Sequence, residues 1–197
     1  MDAGDLDMDH ADGGGSAEDV LEVFARAATG GGLPASVTDL IRAAGQLRHR
    51  PAEALALLER ARAAAPVHPA PLVALYRFYF YGHQLAQAQT VGEAALAIAR
   101  TALGPGFGAI PPTREQVRYD AAVRFYLFTL KGLAYLQLRQ GALQAARARL
   151  AELRWLDPDD VMGGALLAHV LARYEDSADD ERASGAHPAR GWAGLPS

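Results

Sequence analysis

The sequence predicts an all-helical protein built from helix hairpins, and three observations carry that prediction. The stretch LKGLAYLQLRQGALQAARARLAELRWLDP, residues 130–158, places apolar or small residues at Leu130, Leu133, Ala134, Leu143, Ala146, Leu150 and Leu153. That is helical spacing on both sides of a turn at Gly141, and Pro158 ends the unit. The pattern also recurs. Ala54, Leu58, Ala61 and Pro66 repeat the spacing of Ala146, Leu150, Leu153 and Pro158, and Ala88 and Ala95 follow Ala54 and Ala61 by 34 residues. Finally, helix start and stop signals punctuate the chain at the intervals such hairpins need.

Taken in order, residues 1–15 are acidic and Gly-rich without periodicity, and read as a disordered tail. Asp5, Asp7 and Asp9 imitate the start of a calcium loop. His10 and Ser16 stand where that loop needs its Gly and Glu, which excludes it. Ser16, with Asp19, signals a first helix that ends at Gly30, Gly31 and Gly32 and caps the domain. Ser36 with Asp39 signals the second helix, and Pro51 starts the third. Pro66 and Pro71 bracket the link to a fourth, aromatic helix, and a fifth runs from about Leu85 to Leu103. The insertion 103–126 opens with GPGFGAIPP, a loop. Thr113 and Gln116 form a capping box for one long helix over 114–140. Acidic Asp157, Asp159 and Asp160 cap a closing helix over about 159–175, and 176–197, with Trp192, reads as a second disordered tail.

The 34-residue helix–turn–helix unit resembles a tetratricopeptide repeat. Three copies fall at about 35–68, 69–102 and 127–160, within a helical domain spanning 16–175. The resemblance implies a right-handed α-solenoid of stacked hairpins with capping helices at both ends. Some positions depart from the family pattern: Arg42 replaces a small residue, and Gly92 a large one. In this family the first helix of each hairpin lines a groove that binds a peptide or protein. Carried over position by position, the groove residues are Arg77, Phe80 and Tyr81 in the second repeat and Phe128, Lys131, Tyr135 and Arg139 in the third. The first repeat contributes Asp39, Ala43 and Gln46. Arginine grips carboxylates as a fork, and Tyr and Arg are favoured interface anchors, so an acidic or C-terminal peptide suits this groove. A carboxylate clamp built with asparagine is excluded, because the chain has none. The competing expectation is that segment 104–126 covers Phe80 and Tyr81.

The bulk numbers narrow the classes of function. The 197 residues make one domain plus tails, and half of them are apolar, enough for a core. A net charge of −4 gives no general pull towards nucleic acid, and the basic residues of the third repeat are interrupted by acids. The absence of cysteine excludes disulfides and thiol chemistry. Apolar runs are too short for a membrane span, and the acidic N-terminus lacks signal-peptide features, so the expected location is the cytoplasm. All basic residues but Lys131 are arginine, a bias that suggests a GC-rich bacterial genome. The six histidines form no metal spacing, and no nucleophile elbow, Walker loop or dinucleotide fingerprint is present. The expectation is therefore a cytoplasmic, non-enzymatic adaptor, chaperone or assembly factor that needs no cofactor and holds a client peptide. The alternative is a helical module that self-associates.

Overall fold

The computed structural model describes residues 32–47 and 49–185, and these form eight α-helices with no strand among them. They are α1 (Ala35–Gln46), α2 (Pro51–Ala64), α3 (Pro69–Tyr81), α4 (Leu85–Leu103), α5 (Arg114–Tyr119), α6 (Ala121–Arg139), α7 (Leu143–Leu156) and α8 (Ala165–Gly185). The all-helical class is thus as the hydrophobic spacing predicts. The expected first helix, the acidic tail 1–15 and Trp192 lie outside the described residues.

Short links join α1 to α2, α3 to α4 and α6 to α7, and each pair packs together as a hairpin. Consecutive hairpins also touch, through α2 against α3, α4 against α6, and α7 against α8. The turns have the chemistry they need. Gly141 links α6 to α7 at φ 72°, a conformation that costs glycine nothing. Pro51 and Pro69 open their helices, where a missing N–H goes unnoticed. Before Pro69, the buried His68 accepts the Ala70 N–H at Nδ1, and burial lowers its pKa. Thr113 and Gln116 complete both halves of the capping box that starts α5.

Three boundaries differ from the expectation. The long helix over 114–140 is broken at Asp120, whose carboxylate accepts the N–H groups of Ala122 and Val123 and so starts α6 afresh. A short polar side chain that can bond its own backbone competes with helix continuation, and here it wins. The Ser36–Asp39 signal is unused: Pro34 precedes α1 without a side-chain cap, and Asp39 pairs with Arg42 at 2.7 Å instead. The closing helix starts at Ala165 and not at Asp159, and it runs to Gly185, through residues 176–185 of the stretch expected as a tail. Its start is delayed because the Asp157 carboxylate accepts from Val161 and Met162, holding 157–163 as turns, while Asp160 Oδ1 accepts the Ala165 N–H.

One core runs the length of the stack, with α6 at its centre. Tyr126, Leu127, Leu130, Leu133 and Leu136 of α6 are fully buried, as are Leu72 and Leu75 of α3. Burying each leucine contributes about 1.5–3 kcal/mol. Two glycines set the approach of α6 to its neighbours. A Cβ on Gly92 of α4 would stand 2.8 Å from Leu133 Cδ2, and one on Gly132 would stand 3.0 Å from the Tyr76 hydroxyl. Gly92, the departure from the repeat pattern, is therefore the notch that receives Leu133.

Candidate interaction surface

The aromatic residues of α3 meet one face of α6, on which Phe128 and Arg139 are exposed. On α3, Tyr76 and Phe80 are one turn apart and their rings stack at 5.9 Å between centroids. Phe80 also meets Tyr81 edge-on at 5.4 Å, and it reaches across to Tyr135 of α6 at 5.8 Å. On α6, residues 128, 132, 135 and 139 share one face, because their spacings of four, three and four follow the helical repeat. Gly132 leaves the space that the Tyr76 hydroxyl fills. One turn on, Arg139 lies over the Tyr135 ring at 5.7 Å and donates to its hydroxyl at 2.8 Å.

The structure therefore brings together four of the expected groove residues: Phe80, Tyr81, Tyr135 and Arg139. Tyr81 keeps 67% of its surface exposed. Arg77 is exposed one turn before Tyr81 on α3, and Phe128 is exposed one turn before Gly132 on α6. Lys131 is used differently. Its Nζ donates to the Met162 carbonyl at 2.7 Å, holding the turn before α8, and burial lowers its pKa against the opposing pull of Asp160. In the first hairpin, Asp39 is engaged with Arg42, Gln46 is exposed and Ala43 is half-buried.

Tyr76 packs against the core and borders this surface through Phe80. It is half-buried, and its pKa is pushed up to about 12, first by burial and then by Tyr135 and Tyr81. Its i, i+4 relation to Phe80 is the signal that could have joined it to the patch.

The insertion leaves Tyr81 exposed. Phe107 packs edge-on against Tyr126 at 5.1 Å, and Trp155 of α7 donates to the Gly108 carbonyl at 3.0 Å. These contacts fasten the loop on α6 and α7. A separate cavity of about 300 Å³ lies between α7 and the start of α8, lined by Leu150, Leu153, Asp157, Asp160, Gly164 and Ala168. Its carboxylates already serve the turn described above, so its wall is chiefly apolar. No cluster of three or more His, Asp or Glu fit to hold a metal occurs among the described residues. None of the described helices is long and apolar enough to cross a membrane.

Comparison with known proteins gives a relative. The chain is 38% identical over 131 residues to the uncharacterized 19.8 kDa protein in nifW 5′ region of Azotobacter chroococcum mcd 1, a match covering 60% of this chain and 68% of the relative. The chain belongs to the same family as that protein. No family model matches it, and neither does any solved structure.

Proposed function

We propose that this protein is a tetratricopeptide-like helical-repeat protein of the bacterial cytoplasm, and that it acts as an adaptor, chaperone or assembly factor without covalent chemistry. Its three hairpins stack as a right-handed α-solenoid, and α8 closes the end. The client is a peptide segment with acidic character, held against α3 and α6. The observation that carries this reading is the cluster of exposed Tyr81 with half-buried Phe80 and Tyr135, and Arg139 laid across the Tyr135 ring. Rigid rings give contact area at low entropic cost, and a guanidinium beside them supplies a directional partner for carboxylate. The Arg139 guanidinium has five N–H donors, and the Tyr135 hydroxyl takes one of them. Gene position gives a starting point for the client: the relative is named for the 5′ region of nifW, so products encoded beside it are the first to try.

The test is capture of tagged protein from its host, run beside the Arg77→Glu, Arg139→Glu double variant. A dominant partner that the double variant loses is the expected result. Undiminished capture by a normally folded double variant refutes the surface. A second reading has its own support on α8, where Leu166 and Tyr174 are exposed and share a helical face with half-buried Val170. If that stripe joins two copies, the mass in solution will rise with concentration and fall back in a Leu166→Glu variant.

A further inference from the structure

The charge of this chain is unevenly placed. Residues 1–31 hold eight acidic residues and one arginine, Arg26, while the rest holds fifteen acidic and eighteen basic residues. The overall −4 is thus −7 on the N-terminal segment and +3 on everything after it. Within that segment, Asp5, Asp7 and Asp9 alternate with Leu6 and Met8. Laid out extended, such a stretch turns its aspartates to one side and its Leu and Met to the other.

We infer that the segment Asp2 to Asp12 of this chain is itself an occupant of the α3/α6 surface, and that it competes there with the client. The inference rests on the reading above and names the chemistry of what binds: acidic residues alternating with flexible apolar ones. The surface offers both counterparts side by side. Arg139 lies over the Tyr135 ring, Phe80 touches both Tyr135 and Tyr81, and Arg77 is exposed one turn before Tyr81 on α3. Methionine packs well on aromatic rings through its polarisable sulfur. The tether is long enough. From Asp12 to Gly32 is about 20 residues, which reach at most about 70 Å, and α1, which they enter, packs against α3. Were the tether helical it would span roughly 30 Å, against roughly 20 Å for α3. A tether of this kind sets an effective concentration on the order of 1 mM. A segment with an affinity of about 0.1 mM is then docked roughly nine times in ten, and the client's apparent affinity falls about tenfold.

The absence of native cysteine makes the test direct. A spin label on Met8→Cys in the full chain should selectively broaden amide signals at 76–81 and 132–139, sparing α7. Adding Arg77→Glu and Arg139→Glu should abolish the effect, as should about 1 M salt, where screening acts within about 3 Å. In parallel, a fluorescent synthetic peptide of residues 2–12 is titrated against the wild-type chain and a full-length variant carrying Asp2, Asp5, Asp7, Asp9 and Asp12→Asn. The neutralised chain should bind the probe about tenfold more tightly. Absent or uniform broadening, or equal probe affinity for the two chains, overturns the competition. Probe binding that Arg139→Glu weakens would then keep the surface as an acidic-peptide site, whereas no binding to either chain removes both readings.

Discussion

The two sides of α6 treat their polar groups differently. Towards α4 and α7, side chains are paired across helices. Arg149 meets both oxygens of Glu93 at 2.7 and 2.8 Å, and the buried Tyr126 hydroxyl lies between Arg100 and Glu152, bonded to both. Towards α3, Tyr81 and Arg139 are exposed, and the half-buried rings of Tyr76, Phe80 and Tyr135 contact one another beside them. A face that is paired across three helices is an interior contact. A face that gathers rings and a cation at the surface is suited to an external partner.

That contrast can be broken by substitution, beginning with the core the two sides share. Leu133→Ala empties the notch at Gly92 and should cost about 2–5 kcal/mol, read from the urea midpoint at unchanged slope. If the loss is below 1 kcal/mol, α6 is not the centre of the core. The next effect belongs to alkaline pH. Tyr76 has its pKa raised to about 12, so the folded protein keeps a proton that the unfolded chain loses near 10. Stability from this group is therefore complete below pH 10 and declines as pH rises to 12, by roughly 2–3 kcal/mol. Burial also pushes Tyr79 and Tyr126 up, so phenolate absorbance should show one fewer late-titrating tyrosine in Tyr76→Phe than in the wild type, and an unchanged number would misassign the group.

Smaller effects separate the two sides more finely. Tyr126→Phe keeps the ring but removes the hydroxyl between Arg100 and Glu152, a change expected to cost about 1–2 kcal/mol. Both partners can still reach each other and solvent, since Arg100 is exposed and Glu152 partly so, which limits the loss. Tyr81→Ala on the open side should change stability by only about 0.5 kcal/mol or less while weakening client binding at least several-fold. A Tyr81→Ala variant as destabilised as Leu133→Ala would mean the patch is structural after all.

Much of this was legible without coordinates. Pro51, Pro69, the Thr113–Gln116 box and Gly141 each act through covalent geometry or a bond to their own backbone, so sequence spacing suffices to place them. The same holds for the fifth helix of the sequence reading, which spans Leu85–Leu103 as α4. The site was legible in part. Repeat position put Phe80, Tyr81, Tyr135 and Arg139 on one side, and they do meet. Lys131 occupies an equivalent repeat position yet bonds to the Met162 carbonyl. Tyr76 packs against the core, and its hydroxyl fills the space left by Gly132 at the edge of the patch.

By itself, then, the sequence determined the helical class, most hairpin turns and the alternation of buried and exposed faces, because these follow from interactions within a few residues. Only the tertiary structure decided which aromatic rings are enclosed and which cations are engaged. Tyr126 and Tyr135 lie on the same helix with the same chemistry, and their fates differ because Phe107 and Glu152 close over one while Phe80 merely borders the other. Those neighbours are distant in the chain, and whether a ring is covered depends on where they fold, which no local spacing encodes.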